Sequence, residues 1–225
     1  VLLPNTLPSC LSLLRLYSPD ILKFGFQELT CYFSLERQNL INQSLSYVEY
    51  PSGADFMVLN NFTGVVWTHF FRRSLLETSS LYFSETSFFE DEEFVAKAYL
   101  FARKMLVTSY KVYGYYRSSS SLTGMTADEK CRERILAFRE MLFRLKVFSQ
   151  SATSIERLEA LDRRIHFLVI DYIRQMWRNK CSMKEIKQQL TVQKQNRLLP
   201  LPSKKYSWKY CLVCPVINVY IRFAI

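Results

Sequence analysis

Two textures of apolar and polar positions divide the chain. Up to about residue 126, short runs rich in Ile, Val, Phe and Tyr alternate with brief helical patterns. Beyond it, apolar residues recur at helical spacing through long amphipathic stretches. In the first part, Asn5 or Thr6 is placed to cap a helix over residues 7–17, with Pro8 in its first turn and Ser18-Pro19-Asp20 ending it. Residues 21–26 and 30–35 read as strands, 36–44 as a turn or hairpin tip, and 47–50 as a return strand stopped by Pro51-Ser52-Gly53. A short helix is predicted over 54–60, a short buried strand over 64–67 leading into a helical turn through Leu76, and a brief strand over 81–83. A helix follows from Glu90 or Asp91 to about Lys104, with Phe94, Ala98 and Phe101 on one face. Residues 109–116 form a strand with Tyr113 and Tyr115 on one face and Val112 and Gly114 on the other.

After Gly124 three capping boxes, Thr126-x-x-Glu129, Thr153-x-x-Glu156 and Ser182-x-x-Glu185, each open an amphipathic run. The first run turns Ile135, Phe138, Leu142 and Leu145 inward. The second spans 154–179, with Leu158, Leu161, Ile165, Leu168 and Tyr172 inward, and the third spans 183–195. Leu199-Pro200-Leu201-Pro202 reads as a stiff linker before an apolar, aromatic tail.

Charge sharpens the same boundary. Residues 1–126 hold ten Lys and Arg against eleven Asp and Glu, whereas residues 127–225 hold twenty against nine. The second half is therefore a candidate for an anionic surface. It carries no helix-turn-helix, zinc or RNP-type signature, so no nucleic acid is expected as a partner. The tail mixes aromatic residues with Lys at Tyr206-Ser207-Trp208-Lys209-Tyr210, then runs twelve uncharged residues from Tyr210 to Ile221. That is short of a membrane span and suits either peripheral contact or packing against the domain. Glycine is scarce and no phosphate-binding glycine loop exists. The six cysteines are scattered, and Cys211-x-x-Cys214 lacks the second half of a zinc site, so buried reduced thiols are expected. The first residue is not Met and no signal peptide precedes the domain, which suggests a fragment.

The chemistry concentrates in Phe89-Glu90-Asp91-Glu92-Glu93-Phe94, an acidic cluster among aromatic residues. Carboxylates in such a setting suit a site that holds a ring-shaped polar substrate and removes a proton from it. Ser87-Phe88-Phe89-Glu90 equally fits a capping box, with the acids favouring a helix N-terminus. Trp67 is placed either to stack on a substrate ring or to fill the core. Arg72 and Arg73 are solvated charges or ligand contacts. His69 and His166 have no partner at metal spacing and read as structural, so no metal ligand is assigned in this chain.

Taken in order, several pieces of the first 125 residues resemble the C-terminal half of a bacterial family 2 glycosyltransferase with a GT-A fold. They are Asp20-Ile21-Leu22-Lys23-Phe24, Gly64-Val65-Val66-Trp67 leading into Phe70-Phe71-Arg72-Arg73-Ser74-Leu75-Leu76, the acidic cluster, Tyr113-Gly114-Tyr115-Tyr116-Arg117, and Ser121-Leu122-Thr123. The resemblance implies an α/β fold: a partial GT-A-like mixed sheet over 1–126, the acceptor side of the catalytic domain, followed by an all-α basic helical extension over 127–225. It implies inverting transfer of a sugar from a nucleotide-sugar donor to a polysaccharide or glycolipid acceptor. By the same resemblance Asp91 is the base, Glu90 and Trp67 bind the acceptor, and Arg117 and Ser121 meet the donor diphosphate. A divalent cation, Mg or Mn, is expected for the full-length enzyme, with its ligands in a nucleotide-binding half not in this chain. The implied location is cytoplasmic, peripheral on the inner face of the cell membrane. Two other readings stand beside this one: a non-catalytic basic docking module, and an inactive remnant. For Asp91 two effects oppose each other. Neighbouring acids raise its proton affinity and a helix N-terminus lowers it.

Overall fold

In the computed structural model the described residues are 1–29, 45–116, 128–151 and 154–224. The strands predicted at 30–35, the turn at 36–44, and the first capping box at Thr126 lie outside them. The chain divides into two compact units, Val1–Glu85 with Glu90–Thr126, and Thr86–Phe89 with Ala127–Ile225.

The first unit is a mixed sheet in the order β2-β4-β1-β3 with helices on both faces. Helix α1 (Leu7–Tyr17) starts after Thr6 with Pro8 in its first turn. It lays Cys10 and Leu13 on Leu22 and Phe24 of β1 (Ile21–Leu29) and on Leu106 and Val112 of β4 (Met105–Tyr116). β1 and β4 run parallel from Ile21 opposite Met105 to Leu29 opposite Tyr116, with a register shift on either side of Gly25. Both flanking strands are antiparallel: β2 (Val48–Tyr50) on β4, and β3 (His69–Phe71) on β1, with Lys23 opposite His69. Helices α2 (Gly53–Leu59) and α4 (Glu90–Phe101) cover the other face, and α3 (Arg73–Thr78) follows β3. Gly53 lies so close to the Tyr99 backbone that a Cβ there would overlap it, which lets α2 cross α4. α4 is buried on nearly all sides, from Glu93 to Ala96 and from Ala98 to Leu100, so it is a central element of this unit rather than a one-faced surface helix.

Two local expectations are corrected. The strand predicted at 64–67 is a coil ending in a 3-10 turn at Val66–Thr68, and the strand that pairs with β1 begins only at His69. The backbone N–H of Gly64 donates to a carboxylate instead of a ladder. Residues 81–83 form no strand either: Ser80 takes a left-handed backbone, Leu81 N–H closes on Leu76, and Phe83 stacks on Phe94 at 4.2 Å.

The second unit is helical. α5 (Asp128–Ser149) buries Ile135, Phe138, Met141, Leu142 and Leu145. α6 (Ile155–Arg178) is capped by Ser154, whose side chain accepts from Arg157 N–H, and buries Leu161, Ile165, Leu168 and Tyr172. α7 (Met183–Gln195) opens with a complete capping box between Ser182 and Glu185. Residues 199–202 are no spacer, because Leu198, Leu199 and Leu201 are all buried. They are held by α8 (Trp208–Ala224): Asn218 exchanges two hydrogen bonds with Leu201, at 2.9 and 2.7 Å, and Tyr210 Oη donates to Pro202 at 2.9 Å. The described cysteines are free thiols; Cys214 is buried beside the Leu201 and Pro202 carbonyls, and Cys211 is exposed.

Candidate active site

The site grows from the first turn of α4. Phe89 adopts a positive φ of 66°, and the helix begins at Glu90. Ser87 therefore lies two residues too early to be the N-cap, and the capping-box reading of residues 87–90 fails. The flanking aromatic residues separate as well. Phe88 and Phe89 belong to the second unit, where Arg134 sits over the Phe88 ring and Phe89 stacks on Phe138. Phe94 packs inward against Phe71 and Phe83.

The four acids of this turn have different surroundings. Glu93 is buried and pairs with Lys97 at 2.6 Å. Glu92 Oε2 accepts from Gly64 N–H at 2.8 Å. The Asp91 carboxylate is half-buried, with the backbone N–H of Val66 close enough to favour its anion. Glu90 is half-buried and close enough for its charge to act on Asp91. Burial, and then the Glu90 charge, push the Asp91 carboxyl above the usual aspartate range, against the lowering effect of the Val66 N–H.

One further contact completes the alignment of residues 64–69 along α4. His69 Nδ1 lies 2.9 Å from the Val65 carbonyl and its Nε2 lies 2.6 Å from Tyr99 Oη. A carbonyl can only accept, so Nδ1 carries the proton and Tyr99 donates to Nε2. Burial, with the Lys23 ammonium nearby, drives the His69 pKa down to about 3. Both ring nitrogens are thus used in holding the segment. Glu92 and Tyr99 together fix where the 3-10 turn lies, holding the segment at Gly64 and at His69.

Trp67 is half-buried in an aromatic wall. It stacks on Tyr115 at 4.9 Å with the ring planes 7° apart, tilts against Tyr113 at 5.0 Å, and meets Phe26 edge-on at 4.9 Å. Asp91 and Glu90 adjoin in the first turn of α4, and Trp67 lies in the 3-10 turn that packs on that helix, its ring turned to Phe26, Tyr113 and Tyr115. Arg117 and Ser121 lie outside the described residues. Arg72 serves the fold: it pairs with Asp20 at 3.0 Å and donates to the Ser18 and Pro19 carbonyls, while Asp20 also accepts from Arg103 N–H. Arg73 is a solvated partner of Glu77. His166 pairs with Tyr206 at 3.1 Å in the second unit.

The sequence reading passed over Lys23, a lone cation in an apolar central strand, whose ammonium burial holds below the usual lysine range. It also passed over Glu92 and Tyr99 as the groups that hold the Trp67 segment. Among the described residues no group of three or more His, Cys, Asp or Glu suits a metal ion. The acids of α4 do not fit one: Glu93 faces Lys97, Glu92 is turned onto the Gly64 N–H, and the Val66 N–H lies close to Asp91.

No family profile and no curated protein matches this sequence. Solved structures do. The chain has the fold of S. aureus TarS. It aligns with TarS 1–349 at a TM-score of 0.61 and 16% identity over 100% of this chain and 64% of that one. With TarS 1–349 in complex with UDP-GlcNAc the TM-score is 0.56 at 17% identity, over 99% of this chain and 65% of that one. With the structure titled TarS alone it is 0.54 at 17% identity, over 96% of this chain and 37% of that one. The chain thus spans less than two thirds of the TarS 1–349 chain. At these identities the likeness establishes the fold alone, a mixed α/β sheet with a helical extension.

Proposed function

We propose that this chain is the acceptor-side part of an inverting glycosyltransferase that moves a sugar from a nucleotide-sugar donor to a saccharide acceptor. The observation that carries the reading is the half-buried Asp91 carboxylate, raised in proton affinity in the first turn of α4, against which the Trp67 turn packs. The shared fold with TarS, solved with UDP and with UDP-GlcNAc, supports the substrate class. An acceptor sugar resting against the Trp67 wall would place a hydroxyl near Asp91, with Glu90 as a second acceptor for its neighbouring hydroxyls. The carboxylate takes the hydroxyl proton as the oxygen bonds to the anomeric carbon from the face opposite the leaving group. The bond to the donor diphosphate breaks, and the nucleoside diphosphate departs with the electron pair. A raised pKa makes Asp91 a stronger base than an ordinary aspartate, and a carboxylate with one backbone N–H close by keeps a lone pair for the proton. Arg117 and Ser121 are proposed to meet the donor diphosphate. Any Mg or Mn ion on that diphosphate would take its ligands outside the described residues.

The test is UDP release from UDP-GlcNAc in the presence of a polysaccharide acceptor, comparing the protein with its Asp91→Asn variant. Asparagine keeps an oxygen for Val66 N–H and removes the base, so kcat is expected to fall by about 10²-fold or more with the acceptor KM nearly unchanged. The wild-type rate should decline on the acid side at a pH above the ordinary aspartate value of 3.8. An Asp91→Asn variant that turns over at the wild-type rate removes the assignment. The docking role expected of the basic half rests on a separate observation at α8.

A further inference from the structure

Helix α8 is apolar on both sides. Tyr210, Cys214 and Ile221 are 1, 2 and 3% exposed and fasten the helix to its unit. On the opposite side Trp208, Leu212, Val216, Val219 and Phe223 recur every three or four residues and are 70, 64, 69, 56 and 82% exposed. Such a stripe costs free energy in water, and monomeric soluble domains rarely carry one without a use for it. Two cations flank it, Lys209 over the Trp208 ring at 5.5 Å and Arg222 beside Phe223 at 6.0 Å. The surrounding chain is uniformly basic: residues 186–225 contain seven Lys and Arg and no Asp or Glu.

We propose that the exposed face of α8 lies in the interface of an anionic lipid bilayer. The helix is parallel to the surface, its apolar stripe is sunk among the acyl chains, and Lys209, Arg222 and Lys205 reach the headgroups. Charge selects this occupant over a second copy of the chain, because two such faces would bring like charges together around their apolar centres, whereas an anionic surface complements both features at once. Trp208 beside Lys209 places an amphipathic ring and a long cationic stem at the level where each is most stable. Seventeen residues at about 1.5 Å each make roughly 25 Å of helix, less than a bilayer core. Among the described residues no helix is long and apolar enough to cross a membrane. Lying in the interface is the geometry that uses this face. The exposed face of α8 belongs to the second unit alone and is independent of the glycosyltransferase reading.

The experiment is flotation of the protein with vesicles of phosphatidylcholine alone or with equimolar phosphatidylglycerol, at low and high salt. The wild type should float with the anionic vesicles, at least tenfold more than with neutral ones, and salt should reduce the effect. Leu212→Glu with Val216→Glu should abolish flotation, and Lys209→Glu with Arg222→Glu should reduce it at least tenfold. All four side chains are exposed, so circular dichroism should match the wild type. As a second readout, brominated lipid should quench tryptophan fluorescence in the wild type and less in Trp208→Phe. A protein that stays unbound with anionic vesicles overturns the proposal, as does flotation that survives the Leu212 and Val216 substitutions. A wild-type dimer that these substitutions convert to monomer, without lipid binding, also overturns it and assigns the face to a second copy.

Discussion

Replacing Gly64 by alanine tests whether the Trp67 segment is held by α4. Gly64 has no positive φ, so its backbone alone would accept a side chain. The obstacle is contact: a Cβ there would come within 2.5 Å of Glu92 Cα and 2.6 Å of Glu92 Oε2. Something must move, and the movable element is the segment itself, whose Gly64 N–H donates to Glu92. Overpacking costs about 1–3 kcal/mol, and weakening a hydrogen bond to a charged group adds about 1.5–3 kcal/mol. The lower entropy of the unfolded chain returns about 0.4–1 kcal/mol. The net expectation is a destabilisation of about 1.5–5.5 kcal/mol, which for a unit of this size is a fall in Tm of about 5–25 °C. Urea unfolding followed by far-UV circular dichroism gives the free energy. Near-UV circular dichroism reports the Trp67–Tyr115 stack, which should lose its signal in the same variant. Adding Glu92→Ala removes the Oε2 overlap and leaves that at Cα, so the double variant should be more stable than the sum of the single effects by about 1 kcal/mol. A Gly64→Ala protein with unchanged Tm and an intact near-UV spectrum would show that α4 does not position Trp67.

Two further outcomes are expected. His69 is held neutral, with its pKa down at about 3, while in the unfolded chain it titrates near 6.5. The unfolded state therefore binds more protons between these values: the contribution is whole above pH 6.5 and is lost as pH falls towards 3. His69→Phe with Tyr99→Phe should flatten this part of a stability-against-pH curve measured by urea unfolding; an unaltered slope would refute the assignment. Ser182→Ala breaks the capping box of α7 and should cost about 1 kcal/mol, read as a lower urea midpoint with unchanged m; no shift would mean that the helix start is held by packing alone.

What could be read from the sequence was local. The bounds of α1 and α7 follow from Pro8 and Ser18 at one helix and from Ser182 with Glu185 at the other, signals contained within a few residues of the ends they set, whereas Thr6 precedes α1 without capping it, its hydroxyl donating to the Leu3 carbonyl. The face of β4 that carries Tyr113 and Tyr115 follows from strict alternation, and both rings meet Trp67. The strand at His69 was displaced because β-branched residues at 65–66 signal a strand only where a ladder receives the segment's N–H groups, and here the Gly64 N–H goes to the Glu92 carboxylate, 28 residues away. Residues 199–202 read as a spacer because Pro is common in linkers. Their burial depends on Asn218 and Tyr210, which no local window contains. The acids of the site were visible, but their separation into struts and candidate base was not, since that division is decided by which distant backbone N–H each one meets.

The opposing effects on Asp91 resolve in favour of raised proton affinity. A carboxylate in the first turn of a helix is stabilised as an anion by the free N–H groups there, and the nearby Val66 N–H favours the anion of Asp91 further. Burial, to which the 64–69 segment lying along α4 contributes, outweighs the Val66 N–H, and Glu90 adds a like charge at close range. Glu92 and Tyr99 are therefore more than packing residues for the proposed chemistry. By holding the segment in place they set the desolvation of Asp91, so a variant that loosens either should lower the Asp91 pKa and shift the acid limb of the rate profile to lower pH. A residue that acted only on global stability would lower the amount of folded enzyme and leave that limb where it was.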